Sequence, residues 1–96
     1  MKEIRTTDIF DKWFIKLRDS EAKARIIARV ARLAQGNPGD VKPAKKGVSE
    51  LRIDYGSGYR VYFKDTGREI IILLCGGDKK TQQADIAKAI DIAKNY

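Results

Sequence analysis

Apolar positions along this 96-residue chain recur first with a helical period and then with the alternation of strands. Ile9, Phe10, Trp13, Phe14 and Leu17 fall at helical spacing, which gathers them on one face. Thr7 or Asp8 is the N-cap, because a short oxygen-bearing side chain accepts from the first free helical N–H groups. Residues 2–6, with Ile4 at their centre, precede it as a short edge strand. Asp19 or Ser20 caps a second helix whose apolar face carries Ile26, Ile27, Val30, Leu33 and Ala34. Gly36-Asn37-Pro38-Gly39 stops that helix.

Residues 40–47 read as a polar connector, after which the period changes to two. Leu51, Ile53 and Tyr55 point one way while Glu50, Arg52 and Asp54 point the other. Gly56-Ser57-Gly58 reverses the chain, since glycine supplies the positive φ of a tight turn. The return strand alternates Tyr59, Val61 and Phe63 against Arg60, Tyr62 and Lys64, and Thr66-Gly67 turns again. The stretch Ile70-Ile71-Ile72-Leu73-Leu74-Cys75 is apolar on both parities, the mark of a strand covered on both sides or interior to the sheet. Gly76-Gly77 ends it, and Asp78 or Thr81 caps a last helix striped with Ile86, Ala89, Ile90 and Ala93. The predicted order is β-α-α-β-β-β-α in a single domain over 1–96. The fold class is α+β, two layers, with a helical hairpin packed on a mostly antiparallel twisted sheet.

If Tyr55 and Tyr59 close the hairpin, Asp54 lies opposite Arg60, Arg52 opposite Tyr62, and Glu50 opposite Lys64. These six share a face that alternation leaves open and charged. As cross-strand pairs they contribute roughly 0.2 to 1 kcal/mol each. As a patch, Arg52, Arg60 and Tyr62 can contact a phosphate and an unpaired base, through guanidinium forks and a stacking ring. Lys42, Lys45 and Lys46 precede the hairpin, and Lys79 and Lys80 follow the last strand, so both lysine groups are expected at one rim of that face. Arg25, Arg29 and Arg32 form a basic stripe on the second helix, either a solvated side or a docking surface for RNA or an acidic segment. Trp13 and Cys75 read as packing.

Twenty Lys and Arg against thirteen Asp and Glu leave a net charge of +7, which attracts polyanions or an acidic protein. The chain has no histidine, which excludes a histidine acid/base pair and almost every catalytic zinc site, and no metal or cofactor is expected. A single cysteine, no signal-peptide pattern and no membrane-length apolar run point to a cytoplasmic protein that stays off membranes.

The segment Gly47-Val48-Ser49-Glu50-Leu51-Arg52-Ile53-Asp54-Tyr55-Gly56-Ser57-Gly58-Tyr59-Arg60-Val61-Tyr62-Phe63 resembles the central hairpin of the RelE/ParE toxin superfamily. More narrowly it resembles the HigB-like addiction module killer proteins, whose last strand and helix are similar to Leu73-Leu74-Cys75-Gly76-Gly77-Asp78-Lys79-Lys80-Thr81-Gln82 and Asp85-Ile86-Ala87-Lys88-Ala89. The resemblance implies the toxin of a type II toxin–antitoxin pair, partnered by a small antitoxin, commonly with a DNA-binding helix-turn-helix. Relatives of the RelE and HigB kind cleave mRNA in the ribosomal A site without a metal; ParE-type relatives poison DNA gyrase instead. By that resemblance Arg60 matches the strand arginine at the scissile phosphate, Arg52 lies near a basic strand position, and Lys79 or Lys80 matches the basic residue after the last strand. The acid/base tyrosine of RelE has no counterpart, since Gln82, Gln83 and Ala84 stand there, and a terminal tyrosine–histidine pair is absent. The implied chemistry gives Arg60 and Arg52 the phosphorane charge and gives proton transfer to a lysine among Lys45, Lys46, Lys79 and Lys80. The alternatives are a gyrase inhibitor on the same fold and a degenerate toxin kept as an antitoxin-binding regulator. An exposed edge strand is available to take an antitoxin segment by strand addition.

Overall fold

The computed structural model describes residues 1–96. Its elements run β1 (Glu3–Thr6), α1 (Asp8–Lys16), α2 (Ser20–Ala34), β2 (Val41–Pro43), β3 (Val48–Ile53), β4 (Tyr59–Asp65), β5 (Ile70–Gly77), a 3₁₀ turn (Lys79–Thr81) and α3 (Gln82–Ala93). Thr7 begins α1 as the spacing predicts. Its hydroxyl accepts from Phe10 N–H at 3.0 Å and donates to the Leu74 carbonyl at 2.6 Å, joining the cap to β5. Asp19 caps α2, accepting from Glu21 and Ala22 N–H, and also takes the Tyr55 hydroxyl at 2.9 Å.

The sheet order is β1-β5-β4-β3-β2, antiparallel except for the β1–β5 pair. The α+β class and the packed helical hairpin agree with the sequence reading. The odd-numbered residues Leu51, Ile53, Val61, Phe63, Ile71 and Leu73 meet Phe10, Ile26 and Leu33 from the hairpin in one core. Ile27, placed by periodicity on the same face, remains 59% exposed.

The opposite face is not open. Val48, Tyr62, Ile72, Leu74 and Cys75 form a second core with Ala89, Ile92 and Ala93 of α3. Two covered faces explain why β5 is apolar on both parities. A register shift between Tyr62 and Phe63 turns Leu74 and Cys75, though consecutive, toward the same side. No helix is long and apolar enough to cross a membrane.

Two further expectations are corrected. The connector 40–47 contains β2, a three-residue edge strand with Val41 opposite Leu51 and Pro43 opposite Ser49. Proline and lysine conceal it from periodicity, yet proline is admissible on an edge. The reversal comes from Lys46 and Gly47 at positive φ, with Ala44 N–H donating to the Val48 carbonyl at 2.8 Å. The central hairpin also closes through a longer loop than expected, 54–58 and not 56–58, and pairs Ile53 with Tyr59. Internal bonds from Tyr55 N–H to Ile53 and from Gly58 N–H to Tyr55 hold that loop. The register slides by two residues, which preserves the faces but changes the partners. Arg52 stands opposite Arg60 and Glu50 opposite Tyr62, not Arg52 opposite Tyr62 or Glu50 opposite Lys64.

Gly76 lies beneath the Trp13 indole, and a Cβ built there would sit 2.4 Å from ring atoms. Gly76→Ala should therefore cost about 1–3 kcal/mol by overpacking. The expected result is a melting temperature lowered by at least about 4 °C, with a shifted Trp13 emission.

Candidate functional site

β3 and β4 set Arg52 and Arg60 directly across from each other on the face that α3 covers. Like charges in that relation repel. Glu50, two residues before Arg52 and on the same face, compensates: its Oε1 is 3.6 Å from Arg52 Nε and its Oε2 is 3.6 Å from Arg60 Nε. From α3, Gln82 donates its Nε2 to Glu50 Oε2 at 2.9 Å. The Glu50 and Arg60 side chains are 4% and 5% exposed, whereas that of Arg52 is 29% exposed. One carboxylate thus faces two guanidiniums, and the group retains a positive charge. Arg60 Nε makes no hydrogen bond.

Both arginines line a cleft of about 280 Å³, and Lys79 closes it from the turn after β5. Gly58 allows this approach: its φ is +79°, and a Cβ there would lie 3.3 Å from Lys79 Cβ. Lys79 N–H also points to the Ser57 carbonyl at 3.4 Å. Asp40 and Asp54, both exposed, complete the wall. Three cations and two carboxylates around one cleft can hold a phosphodiester and accept a proton from a hydroxyl beside it.

Arg29 shapes this end of the sheet from behind. Its guanidinium donates to the carbonyls of Arg52 (2.6 Å), Pro38 (2.9 Å) and Asp40 (3.2 Å), fixing the α2–β2 loop against the end of β3. Burial, then the nearby Arg32 charge, lowers its pKa from the ordinary arginine value. Arg29 is thus engaged with backbone. Arg25 pairs with Glu21 at 2.9 Å and sits 4.7 Å over the Tyr55 ring, while Arg32 is exposed.

Of the residues singled out in sequence, Arg52, Arg60 and Lys79 come together. Lys80 is exposed on the same turn but does not line the cleft. Lys42 stands opposite Glu50 on the edge strand, with its side chain exposed. Lys45 and Lys46 occupy the turn before Val48, so the length of β3, at roughly 3.3 Å per residue, separates them from Arg52. The single basic rim therefore does not form. Tyr62 is wholly buried and has no ring face to offer a base. Burial, then the Glu50 charge, raises its phenol far above the usual range, and the hydroxyl makes no hydrogen bond. Cys75 is packing, as expected; burial and the Asp85 charge push its thiol up to about 12.

Sequence places Glu50 on the face of Arg52 and Arg60 but pairs it with Lys64, and it leaves Asp40 unremarked in a connector whose strand is hidden. The signal for Glu50 was its parity with Arg52 and Arg60.

A family model described as "Phage derived protein Gp49-like (DUF891)" matches residues 12–96. A Haemophilus influenzae protein described as "Uncharacterized protein" is 54% identical over 87 residues, covering 91% of this chain and 88% of its own. Among solved structures, a chain of the toxin–antitoxin complex RelBE2 from Mycobacterium tuberculosis has a similar fold. The TM-score is 0.53 at 22% identity, over 81% of this chain and 98% of that one.

Proposed function

The chain belongs to the phage-derived Gp49-like family, and from that premise we propose that it is the toxin of a toxin–antitoxin pair, of the RelE/ParE kind and HigB-like within it. It acts in the cytoplasm on mRNA held by the ribosome and cuts it without a metal. The observation that carries this reading is the convergence of Arg52, Arg60 and Lys79 on one cleft. The similarity in fold to a chain of a toxin–antitoxin complex supports the pairing with an antitoxin.

In the proposed reaction the ribose 2′-oxygen attacks the adjacent phosphorus, and its proton passes to a carboxylate, Asp40 or Asp54. Arg52 and Arg60 face the charge that builds on the phosphorane oxygens. The bond to the 5′-oxygen breaks, leaving a 2′,3′-cyclic phosphate, and the departing oxygen takes a proton from Lys79. Exposed cations outside the cleft, Lys42, Lys80, Arg25 and Arg32, add a salt-sensitive attraction for neighbouring phosphates.

A second reading, gyrase inhibition without cleavage, draws on one observation: α3 begins Gln82-Gln83-Ala84 and offers neither tyrosine nor histidine as a proton donor. Purified protein and ribosomes programmed with a defined message test the nuclease reading. The expected product ends in a cyclic phosphate, and a message with 2′-deoxyribose at the scissile nucleotide stays intact. Cutting of the deoxy message, or no cutting of either, would overturn it.

A further inference from the structure

Trp13 packs against the first core, its ring 5.7 Å from that of buried Phe10, but is only partly buried. One side of its indole lies on Gly76; the rest lines a recess of about 470 Å³ between α1 and α3. The floor is the end of β5 that β1 does not reach, because the parallel pairing stops at Leu73. Tyr59 contributes a second aromatic side chain, and Thr81 and Asp85 contribute polar groups. The strand edge is free of side chains here for a reason. A Cβ at Gly76 would meet the Trp13 ring at 2.4 Å, and one at Gly77 would meet Asp85 Oδ2 at 1.8 Å.

This recess shares a wall with the Arg52–Arg60–Lys79 cleft. Ser57 and Tyr59 line the recess while Gly58, between them, lines the cleft; Asp78 belongs to one and Lys79 to the other. The two sides differ in sign. The cleft gathers three cations, whereas the recess sets Asp78 and Asp85 against the single cation Lys88. Asp78 caps the 3₁₀ turn and Asp85 Oδ2 takes the Thr81 hydroxyl, which leaves Asp85 Oδ1 to accept from an amino group. Aromatic rings next to a carboxylate, one step from a phosphate site, suit the base end of a nucleotide.

We propose that the Trp13–Tyr59 recess is a nucleobase subsite, which takes the base flanking the phosphate held by Arg52, Arg60 and Lys79. The inference rests on the RNA reading above. Trp13 and Tyr59 supply apolar stacking surface, and Asp85 selects bases that present an exocyclic amino group (cytosine, adenine or guanine) over uracil.

The chain has one tryptophan, so its emission reports on this recess alone. End-labelled short RNAs and an abasic ribose-phosphate oligomer of equal length are titrated at low salt, following label anisotropy and Trp13 emission together. Base-bearing RNA should bind roughly tenfold more tightly than the abasic chain and quench Trp13 to saturation. Tyr59→Leu should remove most of that advantage and leave abasic binding unchanged, and Asp85→Asn should erase the preference for cytidine over uridine. Equal binding of both oligomers with no quenching would overturn the subsite while leaving the phosphate cleft standing. Binding of neither would overturn both.

Discussion

Arg60→Ala is expected to abolish the protein's activity while leaving it folded. Arg60 lines the cleft from a buried position, held in line by β4 and by the Glu50 carboxylate. A preorganised cation facing charge that develops only in the transition state is worth about 10²–10³ in rate, and the proposed cleavage should fall on that scale. The fold tolerates the change because the ion group is unequal. With Arg60 gone, Glu50 still has Arg52 at 3.6 Å and the Gln82 amide at 2.9 Å. The stability cost should stay below that of leaving a buried charge wholly unpaired, at about 1–3 kcal/mol. A melting curve alongside programmed-ribosome cleavage separates the two effects. A loss of activity that merely tracks unfolding would deny Arg60 its role.

Glu50→Ala should do the reverse and act first on stability. Its removal leaves Arg52 and Arg60 opposed with no carboxylate within 4 Å, and Arg60 has almost no access to water. Breaking a buried pair by deleting one partner costs about 3–5 kcal/mol. For a domain whose whole stability is about 5–15 kcal/mol, that is a large share. The melting temperature should fall by about 15 °C or more. Sulfate or phosphate should restore part of the loss, because an anion that binds only the folded arginine pair stabilises it by mass action. Thermal unfolding of both proteins across a sulfate series measures this. Equal responses to sulfate would mean that the two guanidiniums do not form an anion site.

Much of this fold was legible because the governing patterns are local. Thr7 and Asp19 each precede a helical stripe, and both act as caps. The run from Ile70 to Cys75 announced a strand covered on two sides, and α3 is the second cover. What failed was long-range. Nothing near Val41 signals a strand, since its pairing depends on β3 and on a reversal at Lys46 and Gly47. The hairpin register depended on hydrogen bonds within 54–58, and a two-residue error left every face correct but gave Arg52, Glu50 and Tyr62 the wrong partners.

The candidate site was legible in its cations and illegible in its anions. Arg52, Arg60 and Lys79 stood out by type and by resemblance, and they converge. Glu50, which makes that convergence sustainable, resembled any surface glutamate until α3 buried it. Tyr62 misled in the opposite direction: its alternation was read correctly, but α3 covers its face. Trp13 packs against the first core as its helical stripe predicts; it is partly exposed where β1 ends at Thr6, which leaves the last residues of β5 paired with β4 alone.

The most direct test of the cleft's role is to induce the protein in growing bacteria and map mRNA 5′ ends together with plasmid supercoiling. Cuts phased to codons that vanish with Arg60→Ala, on plasmids of unchanged topology, are the predicted result. Intact messages accompanied by relaxed plasmid or gyrase-linked DNA breaks would contradict it.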